Sequence, residues 1–249
     1  MKKLLVHLHL YYTEQLDFMI NRLKSIHECN WDLYVTILNE DNSVREKLLK
    51  FKKDTCIIKV ENRGFDILPF LQILRQVNIN EYDYILKIHT KRHINIKGYL
   101  NGININGYFW RDSLISSLLS NKDTFKQNLE TFQNNDIGII VNKDFLFKFN
   151  SYTKYPLPEE NHLLEKLKKR INIQSSFDYF IAGSMFMARA AIFKNLIKSD
   201  ISPSDFEEES ESGGNSTIAH TIERIFCILA IQHGYKVFAR SRQPMNDNL

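Results

Sequence analysis

A chain of 249 residues, 43% hydrophobic and 25% charged, can build the core of one or two globular domains and has ordinary soluble-protein polarity. Only 9 Gly and 5 Pro argue against a fibrous or low-complexity chain, and no run of about 18 apolar residues marks a membrane span. The 33 Lys and Arg against 29 Asp and Glu leave +4, too mild to imply nucleic acid but compatible with a phosphate-bearing ligand or an anionic membrane surface.

The opening MKKLLVHLHLYYTEQL imitates a signal peptide. Its apolar stretch is short, is broken by His7 and His9 and lacks a small-residue cleavage site, so residues 4–12 read as a first strand. Residues 13–28 place Leu16, Met19, Ile20, Leu23 and Ile26 at helical spacing. A β-branched and aromatic run over 31–40 predicts a second strand, 43–52 a short amphipathic helix, and 56–62 a third strand ending at Gly64. An apolar helix over 67–77 carries Pro69 near its first turn, where a missing N–H does no harm. Residues 82–90 complete a β-α-β-α-β-α-β series, which favours an open, mostly parallel sheet with ligands beyond the carboxyl ends of its strands.

After Lys91 the pattern loosens. Residues 94–110 read as loop, a helix begins at Arg111, and 136–141 is a strand. A Pro-punctuated connection enters a basic helix, and 177–197 reads as strand, Gly–Ser break, strand and helix. Residues 202–216 are polar and acidic and read as mobile, and 217–237 as helix, Gly cap and strand. With no repeat or clear linker, residues 1–249 are expected to form a single domain. The scattered Cys29, Cys56 and Cys227 form no CxxC pair, which argues against a disulfide framework or zinc site and for a reducing compartment, hence a cytoplasmic protein.

Four segments could carry chemistry. In ENRGFDILPF, Gly64 with Asn62, Arg63 and Asp66 fits either an anion site at a helix start or a plain capped turn. YDYILKIHTKRH ends a buried strand in His89, Lys91, Arg92 and His93, which fits a diphosphate held by cations or a solvated basic turn. FIAGSMFMAR breaks a strand at Gly183 and Ser184, a mark of close approach, with Met185, Phe186 and Met187 as core. The helix from Thr217 puts Ile218, Ile222, Ile225, Phe226 and Leu229 on one face and His220, Glu223, Arg224 and Cys227 on the other; Glu223 there is either a general base or part of a solvated face.

Taken together, HLHLYYTEQLDFMINRL, WDLYVTI, VENRGFDILPFL, YILKIHTKR, FWRDSLISSLL, FIAGSMFMAR and GNSTIAHTIERIFCILAIQHGY resemble the rhamnan synthesis protein F family of bacterial polysaccharide glycosyltransferases, over about residues 5–240. The arrangement also resembles a GT-A nucleotide-sugar transferase, which implies an α/β, Rossmann-type open sheet with helices on both faces. The resemblance implies a nucleotide-sugar half over 1–92 and an acceptor half over 93–249. Donor and diphosphate contacts are then expected from Tyr11, Tyr12, Asn39, Asn62, Arg63, Gly64, His89, Lys91 and Arg224. Acceptor contacts are expected from Trp110, Arg111, Gly183, Ser184 and His220. Glu223 is the expected base, with Asp66 as runner-up.

LKIHTK stands where such enzymes carry Asp-x-Asp, so His89 and Lys91 replace both metal-binding carboxylates. A Lys beside a divalent cation is unfavourable, so no metal cofactor is expected; His89 as a ligand to Mn or Mg is the alternative. The implied reaction moves a sugar, by family L-rhamnose from dTDP-rhamnose, from a nucleoside diphosphate sugar to a hydroxyl of a cell-surface polysaccharide or lipid-linked glycan, with inversion. A lipid-linked acceptor would place the protein peripherally at the inner face of the cell membrane, with KLKKR (166–170) as a contact or merely a solvated helix face. The 202–216 loop would be a lid or disordered. The missing Asp-x-Asp motivates a rival, a non-catalytic nucleotide- or glycan-binding module of an assembly complex. A nucleic-acid reading finds little support, since the basic residues form no stripe with interleaved aromatics.

Overall fold

The computed structural model describes residues 1–93, 95–98, 102–149, 158–207 and 217–245. Its strands are β1 Lys3–His9, β2 Asn30–Ile37, β3 Cys56–Lys59, β4 Tyr84–His89, β5 Asn95–Gly98, β6 Gly102–Asn106, β7 Ile137–Asn142, β8 Leu146–Lys148, β9 Tyr179–Ile181, β10 Phe186–Arg189 and β11 Lys236–Arg240. The helices are α1 Leu16–Leu23, α2 Asn42–Phe51, α3 Ile67–Gln76, α4 Gly107–Leu119, α5 Lys122–Thr131, α6 Pro158–Ile171, α7 Lys194–Lys198 and α8 Ile218–Gln232.

Seven strands form one sheet in the order β11-β7-β10-β4-β1-β2-β3, with β10 the only antiparallel member. From β1 the chain steps outward to β2 and β3, then returns through α3 to β4 on the other side of β1. Right-handed crossovers therefore put α1 and α2 on one face and α3 on the other. The strand order reverses between β1 and β4, and a crevice opens beyond the carboxyl ends at such a point. Contacts group α1 with α2 and α4, and α4 with α5, in one layer, and α3, α6, α7 and α8 in the other.

Strands covered on both faces should read as continuous apolar runs, and β1 and β4 nearly do. The exceptions are His7 and His9 on β1 and Lys87 and His89 on β4, all buried, and paired in register as His7 with Lys87 and His9 with His89. The period of two puts these four on the α3 face, where Phe70 stacks on His7 and lies under Lys87. The Thr36 hydroxyl on β2 bridges His7 Nε2 at 3.0 Å and His9 Nδ1 at 2.9 Å. Burial lowers His9 to about 4 and His7 well below its ordinary range, so both imidazoles are neutral. Around Phe70, the rings of Phe186, Phe193 and Phe226 pack edge-on at 5.4–6.0 Å.

Three sequence expectations are corrected. The described residues of 94–110 are not loop: β5 and β6 pair in antiparallel register, and α4 begins at Gly107, capped by the Asn106 side chain accepting from Tyr108 N–H at 2.8 Å. Alternating Ile and Asn supply the strand period, while the Asn and Gly were read as turn formers. The predicted strands 4–12, 31–40 and 56–62 stop at His9, Ile37 and Lys59, because their polar ends turn into the crevice loops. Mobility fails for 202–206: Asp205 accepts two bonds from Arg170 (2.8 and 2.9 Å), and Phe206 is buried. The rest of that loop, 208–216, lies outside the described residues, as does the connection 150–157. In KLKKR, Lys168 pairs with Glu165 and Arg170 with Asp200 and Asp205, leaving Lys166 and Lys169 exposed. Among the described residues no helix is long and apolar enough to cross a membrane.

Candidate active site

At the carboxyl end of β4 the chain presents Lys87, His89 and Lys91 on one side. Lys87 is wholly buried, and its three ammonium protons meet three acceptors: the Asp66 carboxylate, the Ser184 carbonyl at 3.0 Å and the Ser184 hydroxyl at 2.9 Å. Ser184 Oγ in turn donates to Asp66 at 2.5 Å. Burial alone would raise Asp66, but the ammonium groups of Lys87 and Lys91 hold its carboxyl well below the usual carboxylate range. Sequence reasoning missed Lys87. The available signal was a lysine flanked by Leu86 and Ile88 in mid-strand, where an uncompensated charge is forbidden.

His89 Nε2 lies 2.8 Å from the Gly183 carbonyl and Nδ1 3.0 Å from the Thr90 carbonyl, so both ring nitrogens face backbone inside the protein, and the neutral ring donates to one of these two carbonyls. Burial lowers the imidazole to about 3 against the opposing pull of Asp66, 3.7 Å away. Lys91 reaches further out and lies 3.9 Å over the Trp110 ring; its Nζ forms no ion pair among the described residues. Burial lowers its ammonium, while Asp66 and Glu223 pull the other way.

Gly183 and Ser184 form the turn between β9 and β10, both with positive φ (93° and 47°). A Cβ on Gly183 would stand 2.6 Å from Leu114 and 2.9 Å from the Trp110 indole nitrogen, so this residue is glycine for fit as well as for φ. Its N–H donates to Glu223 Oε1 at 2.6 Å. Burial raises the Glu223 carboxyl above its ordinary range, opposed by Lys91, Arg224 and this N–H. Glu223 projects from α8, whose other sides are also packed: Arg224 is buried 5.1 Å over the Phe180 ring, and Cys227 is buried.

The structure therefore gathers Asp66, His89, Lys91, Gly183, Ser184 and Glu223 around Lys87, with Trp110 beneath the turn. The remaining expected residues lie around this group or apart from it. Tyr11 and Tyr12 donate their N–H groups to Thr90 Oγ1 at 3.1 and 3.0 Å, which ties the β1 loop to the β4 end. Arg111 donates to Gln15 at 2.9 Å and stacks on Phe18 and Tyr108; Gln15 holds the Lys91 carbonyl at 2.7 Å, so Arg111 backs Lys91 from behind. His220 bonds Thr217 at 2.6 Å, abuts Phe65 at 5.3 Å and is lowered by burial to about 4. Arg63 donates to the Phe206 carbonyl at 2.5 Å, and Gly64 (φ 66°) leaves room for the Phe206 ring, which a Cβ would meet at 2.6 Å. Asn39 and Asn62 stand exposed after β2 and β3, and the nearby Asp41 is engaged in capping α2.

Solved structures share this architecture. TarS 1–349 of S. aureus matches with a TM-score of 0.51 at 13% identity, over 96% of this chain and 58% of that one. Its complex with UDP also gives 0.51, at 12% identity over the same 96% and 58%. At these identities the likeness is one of fold, that of the GT-A nucleotide-sugar transferases. Residues 1–235 match the family model of rhamnan synthesis protein F, RgpF, and the chain belongs to that family. The uncharacterised protein WxcX of Xanthomonas campestris pv. campestris is 27% identical over 235 residues, which cover 92% of this chain and 32% of WxcX. The chain thus spans about a third of the length of the curated relatives it matches.

Proposed function

We propose that this domain transfers a sugar from a nucleoside diphosphate sugar to a hydroxyl of a bacterial cell-surface polysaccharide or lipid-linked glycan, in a single displacement with inversion. One observation carries the reading: a carboxylate of raised proton affinity, Glu223, is oriented through one oxygen by Gly183 N–H at the carboxyl edge of the sheet, with Lys91 reaching into the same region. Glu223 Oε2 then takes the proton of the acceptor hydroxyl as that oxygen attacks the anomeric carbon. The bond to the nucleoside diphosphate breaks, and Lys91 stabilises the charge that develops on the departing phosphate. Asp66 suits the base role less, since its carboxylate is held by Lys87 and Ser184 and its proton affinity is low.

Enzymes of this fold commonly hold a divalent cation at the strand end occupied here by His89, Thr90 and Lys91. These residues do not fit one: both His89 nitrogens face carbonyls inside the protein, and Lys91 brings a positive charge. Lys91 takes the cation's electrostatic role in our reading. L-Rhamnose from dTDP-rhamnose is the donor favoured by the family, and the inner face of the cell membrane is where a lipid-linked acceptor would be met. The test is incubation with dTDP-, UDP- and GDP-sugars, with and without chelator. Release of nucleoside diphosphate that tracks one donor supports the reading, and a binding-only response across the whole panel points to a non-catalytic module.

A further inference from the structure

A lysine in the centre of a covered sheet is an expensive residue. Its charge has to be matched, and an apolar side chain of similar volume would pack there without that requirement. Lys87 lies among the rings of Phe70, Phe186 and Phe226, with centroids 5.6–6.0 Å from its ammonium, and is 0% exposed, so it cannot touch a substrate. What it does touch is the back of the turn that orients Glu223. It bonds the Ser184 carbonyl and hydroxyl, and Asp66, at the start of α3, bonds both Lys87 and Ser184. Ser184 has φ of 47°, a conformation an ordinary residue holds only when its surroundings fix it. One residue earlier, the Gly183 N–H points at Glu223.

We propose that the buried Asp66–Lys87 pair is a positioning unit for the catalytic carboxylate: it clamps the Gly183–Ser184 turn, and its two charges balance one another behind Glu223. This role rests on the reading of Glu223 as the base. The charged groups facing Glu223 are Lys91 after β4, Lys87 on β4, Asp66 before α3 and Arg224 on its own helix; His220 and His89 are neutral neighbours. Removing either partner of the pair leaves its opposite uncompensated near Glu223, so the two removals act in opposite directions. Removing both leaves the charge balance almost unchanged and loses only the clamp.

The test is a pH titration of side-chain carboxyls in protein labelled with 13C-glutamate, with Glu223 assigned by the signal missing in Glu223→Gln. Lys87→Met is expected to raise the Glu223 midpoint by about one pH unit, Asp66→Asn to lower it by a similar amount, and the double variant to return it near wild type. Turnover in Lys87→Met is expected to fall about tenfold or more, with UDP and dTDP affinity within about threefold of wild type. If Lys87→Met does not fold, the isosteric Asp66→Asn carries the test alone. An unmoved Glu223 midpoint in the folded variants overturns the proposal. Because the titration reads the pair directly and Glu223→Gln turnover reads the base, the two ideas fail separately. A shifted midpoint with an active Glu223→Gln overturns only the base assignment, and an unshifted midpoint with an inactive Glu223→Gln overturns only the positioning role.

Discussion

Glu223 and His89 take hold of opposite ends of one residue: the carboxylate accepts the Gly183 N–H at 2.6 Å, and the imidazole faces the Gly183 carbonyl at 2.8 Å. The orientation of the proposed base is thereby tied to the central strand β4 rather than left to its own helix. Catalytic groups supported in this way are held close to one geometry, and each link can be tested.

Glu223→Gln keeps the shape and the Gly183 contact but cannot take a proton. Turnover should fall about 100-fold or more, with nucleotide affinity nearly unchanged. Steady-state kinetics beside calorimetric titration with UDP and dTDP separates the two, and turnover within a few-fold of wild type rejects Glu223 as the base.

The pH profile follows from the sign of the Glu223 shift. A base works deprotonated, and burial raises this carboxyl, so kcat/KM should decline on the acid side at a pH above the ordinary carboxylate range. A profile flat down to pH about 4.5 contradicts the raised proton affinity.

Lys91→Met removes the ammonium that lies over Trp110 and keeps an unbranched side chain beside the ring. Nucleoside diphosphate binding should weaken by roughly tenfold to a hundredfold, the worth of a charge-assisted bond. Wild-type turnover should persist in EDTA; loss in chelator that manganese restores would show that a metal, not Lys91, carries the diphosphate.

Gly183→Ala meets Leu114 and the Trp110 indole and forces a Cβ onto φ of 93°. It should cost about 1–3 kcal/mol of stability, read as a lowered urea midpoint, and reduce turnover further by displacing the Glu223 contact. Gly234 has φ of 78° but nothing within 4 Å, so Gly234→Ala is the matched control for backbone strain without a clash.

The sheet was legible because its strands obey a simple rule. Segments such as 82–90 are apolar runs between turn residues, and their β-α alternation fixes a parallel, doubly wound arrangement. Individual site residues were harder to place. His89 and Lys91 differ by two positions and were read as one cationic cluster, yet the first points inward to two carbonyls and only the second extends over Trp110. Sequence spacing gives the face of a strand but not the depth at which that face is covered. Asp66 looked like a capping residue or spare base because its partner, Lys87, lies 21 positions away, on β4. The pairing of β5 and β6 escaped notice because Asn and Gly serve both turns and the polar positions of a short two-stranded ribbon.

Thr36 has one hydroxyl proton and two imidazoles to satisfy. At most one ring can receive that proton, so at least one of His7 and His9 has to present an N–H to the oxygen. The tautomers of the two histidines are therefore correlated, and the arrangement in which both offer lone pairs to Thr36 is excluded. In Thr36→Val that correlation would vanish, and the two rings would exchange tautomers independently, a difference that 15N chemical shifts of the imidazoles can register.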